Sequence, residues 1–391
     1  MQTQLIAARR ALTPDGRLAP YWVEIAAGQS GTAAAETPDA GVGRILAAGE
    51  GPPPRTPDLE VRGILSPGFV DVHCHGGGGH SFAEGPQQAR QAAAAHRAQG
   101  TTTLLASLVT DPLPALRESL QSLAPLVEAG ELAGIHLEGP WLSPQHKGAH
   151  SEVFLQPPRP EDVADLLSTG TVAMVTLAPE LPGGLDAVRQ MVSHGAVAAV
   201  GHTDATYQQV SQALDVGASA GTHLFNAMRG LHHREPGPAG ALLEHGSAFL
   251  ELIADGIHLH PAMLRLIFAQ HAERAVLVSD AMAAAAAEDG DYRLGSLLVR
   301  VSGGEARVVA ADGTAGAIAG STLTVGAAVR FAVQEAGVPA EQALTAATAN
   351  PAAMLGLDEV GSLAEGGRAD LVVLDEEFGV ERVMQAGAWV G

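Results

Sequence analysis

The feature of this sequence that most constrains its fold is an alternation of eight short apolar runs with helical stretches. The apolar runs occupy residues 64–75, 101–110, 133–141, 172–180, 196–204, 219–228, 250–258 and 274–282. The stretches between them are rich in alanine and glutamine and carry glycine where a helix would end. Continuous apolar strands that alternate with helices are typical of a parallel sheet covered on both faces. Eight such units predict an α/β fold with a closed (β/α)8 TIM-like barrel rather than an open doubly wound sheet.

A barrel of this kind places its chemistry at the carboxyl ends of its strands. The ends of the predicted strands carry six side chains that bind metals or transfer protons: His73, His75, Glu138, His202, His223 and Asp280. Because these ends meet at one face of a barrel, we expect the six side chains to form one active site.

The two ends of the chain differ from the middle. Residues 1–65 and 357–391 contain short alternating strands, turns and a Gly/Pro-rich loop. We interpret both ends as one small β-sandwich domain beside a barrel domain of residues 66–356. Residues 322–356 have a helical pattern and would connect the two domains.

The first predicted strand ends in an H-x-H motif. His73 and His75 are two residues apart, so on a strand both would face the same side, about 6.6–7 Å apart at Cα. Imidazole nitrogens bind zinc at about 2.0–2.1 Å, so both can reach one ion. Cys74 would face the other way as a small buried residue. An ordinary pair of core or surface histidines is an equally good interpretation of this motif taken alone.

Three further strand ends supply Glu138, His202 and His223. Together they offer three ligands and leave a coordination position open, which is typical of a catalytic metal. The alternatives are a salt bridge from Glu138 to an arginine and two hydrogen-bonded core histidines. Asp280 ends the eighth run and is a candidate proton acceptor, although it would equally cap a following helix.

Four other histidines fall in predicted loops. His258 and His260 repeat the H-x-H spacing, but Pro261 follows them directly and favours a loop. His232 and His233 lie in a polar segment, where exposed histidines are the usual state. We therefore do not expect these four residues to bind the metal.

The charge and composition exclude several classes of function. A formal net charge of −21 argues against nucleic acid or an anionic membrane as partner. The single cysteine excludes an intrachain disulfide and fits a cytoplasmic protein. Lys147 is the only lysine, and it does not end a predicted strand, so a lysine carbamate that bridges two ions is excluded. If two ions are bridged, Glu138 must bridge them.

Several longer motifs are more specific than the H-x-H pair. They include HLEGPW with a downstream KGAH, HLFNAM followed by REPG, and VGHTDA, IADGIHL and IAGSTLT. In these stretches the chain resembles the N-acetylglucosamine-6-phosphate deacetylases of the amidohydrolase superfamily along nearly its whole length. The resemblance implies a deformed TIM barrel with a β-sandwich-like domain, and the metal-dependent removal of acetate from an amino-sugar phosphate.

The resemblance also implies roles for individual residues. Glu138, His202 and His223 would hold the common metal, Asp280 would be the catalytic acid and base, and His150 would polarise the amide carbonyl. Because this chain keeps the H-x-H pair, His73 and His75 would hold a second ion with Glu138 and Asp280. The cofactors would be one or two divalent ions, zinc or iron. The implied substrate contacts are Ala149, His150, Asn226, Ala227, Arg234, His258, Ile318, Ala319, Gly320 and Ser321.

The expected partner is therefore a small amino-sugar phosphate, and the resemblance suggests a homodimer in which Arg234 reaches a neighbouring site. One rival is another amidohydrolase reaction, on a cyclic amide or an amino-heterocycle. Arg234 and Asn226 argue against it because they suit a sugar phosphate. A second rival is a metal-dependent sugar-phosphate binder without activity, which the retained Asp280 disfavours.

Overall fold

The structure is a computed structural model that describes residues 3–27 and 42–390. Its first four strands are β1 (Thr3–Leu12), β2 (Leu18–Ala26), β3 (Ile45–Glu50) and β4 (Leu59–Pro67). Strand β1 pairs antiparallel with β2 and parallel with β4. Residues 28–41, which belong to the predicted small β domain, lie outside the described residues.

The next ten strands build the barrel and a short hairpin at its mouth. They are β5 (Phe69–Asp71), β6 (Gly76–Gly77), β7 (His80–Ser81), β8 (Thr101–Val109), β9 (Gly134–Glu138), β10 (Val172–Leu177), β11 (Val197–Val200), β12 (Ala220–Gly221), β13 (Phe249–Leu252) and β14 (Ala275–Leu277). Strand β5 and strands β8 to β14 form one eight-stranded parallel sheet in chain order. Backbone hydrogen bonds from Asp280 to His73 O (2.8 Å) and from His75 to Ala281 O (2.7 Å) join its two edges. The predicted barrel is confirmed.

Ten helices accompany the strands in the described residues. They are α1 (Pro86–Ala98), α2 (Leu113–Glu128), α3 (Pro160–Leu167), α4 (Gly184–Ser193), α5 (Tyr207–Asp215), α6 (Gly237–Glu244), α7 (Pro261–His271), α8 (Val325–Gln334), α9 (Ala340–Ala346) and α10 (Ala349–Leu355). Helix α2 illustrates why they form, because Leu116, Leu120 and Leu123 recur on one face and are buried against the sheet. Within the described chain, we find no helix that combines the length and the apolar character needed to cross a bilayer.

The first predicted strand, residues 64–75, is in fact two strands. Strand β4 belongs to the terminal sheet and ends at Pro67, whereas β5 belongs to the barrel and begins at Phe69. Gly68 lies at the change of sheet, where a Cβ would come within 2.1 Å of Thr102 Oγ1. The prediction missed this division because both strands are apolar and nearly continuous in sequence. His73 and His75 consequently follow the strand instead of lying on it.

A four-stranded antiparallel sheet follows the barrel, which the sequence analysis did not predict. It consists of β15 (Gly290–Leu294), β16 (Leu297–Ser302), β17 (Glu305–Val309) and β18 (Ala315–Ile318). A small apolar cluster that includes Leu294, Val299 and Ala306 packs it against Val109 and Met282. This packing holds the end of β18 beside the carboxyl ends of the barrel strands. We refer to residues 290–318 as the insert sheet.

Both ends of the chain build the remaining sheet. The last strands, β19 (Leu371–Leu374), β20 (Val380–Gln385) and β21 (Ala388–Trp389), extend β1 to β4 into the order β21-β20-β19-β4-β1-β2-β3. Its core contains Ile6, Val23, Leu65, Leu371 and Met384. The predicted fold, a barrel beside a β-sandwich built from both termini, is thus confirmed.

Candidate active site

Three of the predicted site residues lie directly after barrel strands and have left-handed backbones. The φ angles are 47° for His202, 29° for His223 and 46° for Asp280. Such conformations cost about 1–3 kcal/mol each in residues other than glycine and are concentrated at functional sites. The strand ends therefore turn sharply where the polar side chains meet.

Glu138 lies at the centre of the site. It is the last residue of β9 and is 3% exposed. Its Oε1 atom lies 3.1 Å from the Nε2 atoms of both His202 and His223. Its Oε2 atom lies 3.2 Å from Nε2 of His75 and 3.3 Å from Nε2 of His150. One buried carboxylate thus meets four imidazoles, and its two oxygens face different pairs.

His73, His75 and Asp280 form a second group beside Glu138. The Nε2 atoms of the two histidines are 3.1 Å apart. Asp280 Oδ1 lies 3.4 Å from each of them, and Glu138 Oε1 lies 3.5 Å from Nε2 of His73. The structure therefore brings all six predicted metal ligands together in two adjacent groups that share Glu138.

Hydrogen bonds at Nδ1 fix the tautomers of two of these histidines. Nδ1 of His202 lies 2.8 Å from the carbonyl oxygen of His146, and Nδ1 of His75 lies 3.2 Å from that of Ser107. A carbonyl oxygen only accepts, so in each neutral ring Nδ1 carries the proton. The lone pair of each Nε2 consequently points towards Glu138.

This donor set fits a divalent transition metal. A lone pair that faces a carboxylate oxygen, as Nε2 of His202 faces Oε1 of Glu138 at 3.1 Å, is repulsive unless a proton or a metal cation lies between the two atoms. Burial lowers the pKa of His202 to about 4, so this ring is not protonated at neutral pH. Imidazole nitrogen and carboxylate oxygen are ligands that zinc and iron accept.

His150 has the opposite tautomer. Its Nδ1 atom lies 2.9 Å from Thr110 Oγ1, which can donate or accept, and 3.3 Å from the backbone N–H of Thr110, which can only donate. In the neutral ring Nε2 therefore carries the proton. That Nε2 atom is 3.3 Å from Glu138 Oε2. Distance alone groups His150 with Glu138 and His202 as possible ligands. The tautomer instead makes His150 a hydrogen-bond donor at the edge of the site.

Both carboxyl groups are ionised at neutral pH. Burial raises the pKa of Glu138, but the surrounding imidazoles, chiefly His73 and His150, outweigh this effect and hold the pKa well below its ordinary value. Burial also raises the pKa of Asp280, and the neighbouring imidazoles of His73 and His75, the latter through a hydrogen bond, reverse the shift. Asp280 is therefore able to accept a proton.

A cavity of about 500 Å³ opens above these groups, a size suited to a small ligand. Its lining includes twelve of the predicted residues: His75, Glu138, Ala149, His150, His202, His223, Asn226, Ala227, His258, Asp280, Ile318 and Gly320. Six lining residues were not predicted: Gln145, His146, Gly148, Leu294, Arg307 and Ala317.

The other predicted residues lie around this cavity without lining it. His73 is fully buried behind His75, and Ala319 is fully buried beneath the insert sheet. Ser321 is also buried and donates its hydroxyl hydrogen to Ser279 O at 2.6 Å. Arg234 is exposed in the loop before α6, outside the cavity lining.

Two residues near the site were missed from the sequence. Glu251 is the single carboxylate within the apolar run LELIA (residues 250–254), and an isolated acid in a predicted buried strand could have drawn attention to it. Arg307 lies on β17 of the insert sheet and is the only arginine or lysine among the described residues that line the cavity. Its position was not predictable because the insert sheet itself was missed.

Comparisons with known proteins agree with this geometry. N-acetylgalactosamine-6-phosphate deacetylase of Escherichia coli O157:H7 is 38% identical over 98% of both chains. N-acetylglucosamine-6-phosphate deacetylase of Vibrio furnissii is 36% identical over 83% of this chain and 82% of its own. A mutant of the Mycobacterium smegmatis N-acetyl-D-glucosamine-6-phosphate deacetylase, solved in complex with N-acetyl-D-glucosamine-6-phosphate, is 45% identical. It superposes with a TM-score of 0.91, covering 100% of this chain and 99% of that one.

Residues 64–390 match the amidohydrolase family, whose members are metal-dependent hydrolases. This range includes the whole barrel, every residue of the two candidate metal groups and the cavity lining. The chain belongs to the amidohydrolase family.

Proposed function

We propose that this chain is a metal-dependent deacetylase that converts N-acetyl-D-glucosamine 6-phosphate into D-glucosamine 6-phosphate and acetate, in amino-sugar catabolism and recycling. The observation that carries the proposal is the convergence of five imidazoles on the two carboxylates of Glu138 and Asp280 beneath a sugar-sized cavity. The 45% identical Mycobacterium smegmatis enzyme, solved with this sugar phosphate, supports the choice of substrate.

The proposed cofactors are two divalent ions, zinc or iron. Glu138, His202 and His223 would hold the first ion, and His73, His75 and Asp280 would hold the second ion together with Glu138. A bound divalent ion lowers the pKa of its water to about 7 and polarises a carbonyl group. A single ion at the first position is the alternative.

The residues of the chain then have distinct roles in amide hydrolysis. His150 donates its Nε2–H to the acetyl carbonyl and stabilises the negative charge that develops on that oxygen. Asp280 accepts the proton of the attacking water while the water oxygen bonds to the carbonyl carbon. It then returns this proton to the nitrogen as the C–N bond breaks, so that the amine leaves neutral.

The substrate contacts proposed from the sequence are Ala149, His150, Asn226, Ala227, Arg234, His258 and residues 318–321. Most of them line the cavity, and His258 is held there by Asp255, whose Oδ2 lies 2.7 Å from His258 Nδ1. Arg234 is outside the lining, so we propose that it acts across a homodimer, in a neighbouring site. We also propose a cytoplasmic location and no nucleic acid partner, in keeping with the charge of −21.

We propose that the barrel domain of residues 66–356 carries all the chemistry. The cavity lining runs from His75 to Gly320 and contains no residue from 1–65 or 357–391, as far as the described residues show. The small β domain would therefore support the barrel, to which β4 connects directly.

Acetate release tests the proposed function directly. Zinc-loaded protein is expected to release acetate from N-acetylglucosamine 6-phosphate with a kcat of about 1–1,000 s⁻¹, and to act poorly on N-acetylglucosamine. The same assay with N-acetylgalactosamine 6-phosphate identifies the preferred epimer through kcat/KM. Binding of the sugar phosphates without acetate release would indicate a non-catalytic binder. Activity on cyclic amides alone would favour the rival reaction.

Arg234 and Arg307 are the two candidates for binding the 6-phosphate group, and single substitutions distinguish them. Arg234→Ala is expected to raise KM for the 6-phosphate sugar by about 10- to 100-fold, since a hydrogen bond to a charged group contributes about 1.5–3 kcal/mol. Arg307→Ala should have a smaller effect because Arg307 is already paired with Glu305 and donates to Gly316 O. Steady-state kinetics with both sugars provide the measurement.

The control for this pair is Arg300→Ala, because Arg300 lies on the insert sheet, pairs with Asp291 and does not line the cavity. It should behave like the wild type. If Arg307→Ala has the large effect and Arg234→Ala has none, the phosphate is bound by the insert sheet of the same chain. Light scattering that shows a monomer would exclude the action of Arg234 across subunits.

A further inference from the structure

Glu251 is a buried carboxylate to which the mechanism above gives no role. It lies on β13 inside the barrel and is 0% exposed. Its Oε2 atom lies 3.0 Å from Nδ1 of His73 and accepts from the backbone N–H of His223 at 3.1 Å. No described residue forms a hydrogen bond with its Oε1 atom. A buried carboxylate with so few partners is costly unless a positive group lies nearby.

The bond to Glu251 determines the state of His73. An ionised carboxylate only accepts, so Nδ1 of His73 carries a proton. Its Nε2 atom lies 3.1 Å from Nε2 of His75 and 3.4 Å from Asp280 Oδ1. When the far nitrogen of a histidine is bonded to a carboxylate, the tautomer and the ring orientation are fixed and the ligating nitrogen becomes more basic.

The surrounding polar residues inside the barrel bond to one another instead. His136 is hydrogen-bonded to Ser107 Oγ at 2.9 Å and to Thr176 Oγ1 at 2.8 Å. Thr176 Oγ1 in turn lies 2.8 Å from Thr222 Oγ1. Both nitrogens of His136 are thus engaged within this chain of bonds. Glu251 differs from these residues because it contacts the ring of a candidate metal ligand, His73.

We propose that Glu251 is a positioning residue that fixes His73 in its Nδ1–H tautomer and thereby governs metal affinity at the group of His73, His75 and Asp280. This inference rests on the second metal position of the proposed function. Glu251 also holds the backbone of His223, so it connects the two candidate metal groups from beneath without reaching the cavity.

The test is zinc affinity, measured by competition with a chromophoric chelator and by elemental analysis. Glu251→Met preserves side-chain volume and removes the acceptor, so one of two zinc ions should bind about 10- to 100-fold more weakly. Glu251→Gln keeps an acceptor oxygen and should lose less affinity for that ion. Thr176→Val removes a polar group at the same depth without touching a ligand, and should leave both affinities unchanged.

Two further measurements distinguish the positioning of His73 from a general loss of structure in the variant. In a His73→Asn background, the addition of Glu251→Met should cause no further loss of zinc affinity at the group of His73, His75 and Asp280, because its effect on that group passes through His73. A loss at the other ion would instead report the lost bond to the backbone N–H of His223. Nitrogen-15 NMR of histidine-labelled protein should show the Nδ1–H tautomer of His73 in the wild type and in Glu251→Gln, and its loss in Glu251→Met.

The outcomes distinguish this inference from the proposed function. If the wild type binds two zinc ions and Glu251→Met binds both with wild-type affinity, the proposed role of Glu251 is refuted, while the two metal positions stand. An unchanged His73 tautomer in that variant would overturn it as well. If the wild type binds one zinc ion, and His73→Asn binds the same ion with the same affinity, the second metal position itself is refuted.

Discussion

Asp280→Asn is expected to lower kcat for deacetylation by about 100-fold or more, with little change in KM. The asparagine keeps the size and one oxygen of the side chain but cannot accept and return the proton. Asp280 is 7% exposed, lines the cavity and has a pKa below its ordinary value, so it is ionised when the reaction begins. Steady-state kinetics and elemental analysis of the same preparation provide the measurement.

A charge-matched control accompanies this variant. Asp111 follows β8 at the same end of the barrel but does not line the cavity. Asp111→Asn should therefore retain near-normal turnover. The ion held by Glu138, His202 and His223 should remain in Asp280→Asn, so near-normal turnover in that metal-containing variant would refute the proton-transfer role.

Glu138→Gln is expected to lose both ions and to lower activity by roughly 1,000-fold or more, since water activation depends on the metal. The carboxylate lies within 3.1–3.5 Å of five imidazole nitrogens and is shared by both candidate metal groups. Removing its charge weakens both groups at once. Elemental analysis and acetate release together provide the measurement.

The control is the double change His73→Asn with His75→Asn, which alters one group alone. It should reduce the metal content from two ions per chain to one and leave part of the activity, because Glu138, His202 and His223 remain. If Glu138→Gln keeps both metal and activity, the site has been misplaced. If the wild type holds one ion and the double variant holds the same, the histidine pair does not bind metal.

The barrel could be predicted from the sequence because the pattern that specifies it is local. Apolar runs that alternate with helical stretches predict a covered parallel sheet without knowledge of any contact. The insert sheet was missed because its strands are short and mix half-buried, exposed and a few buried residues, a pattern that resembles a loop as much as strands. The division between β4 and β5 was missed because no polar residue separates them.

The residues of the site were also accessible, since the carboxyl ends of parallel strands must converge. That rule brought His73, Glu138, His202, His223 and Asp280 together from five separate strand ends. The longer motifs added His150, which no strand pattern marks. Sequence alone therefore predicted that these six side chains meet, but it did not predict that Glu251 and Arg307 join them.

Only the tertiary structure decided what each side chain can do there. The tautomer of a histidine is set by the atom that faces its other nitrogen, and that atom comes from a distant part of the chain. For His202 it is the carbonyl oxygen of His146, and for His150 it is the backbone N–H of Thr110. Identical imidazoles thus become a candidate metal ligand in one case and a hydrogen-bond donor in the other. Sequence patterns record the period of burial along one strand, whereas these partners are fixed by the packing between strands.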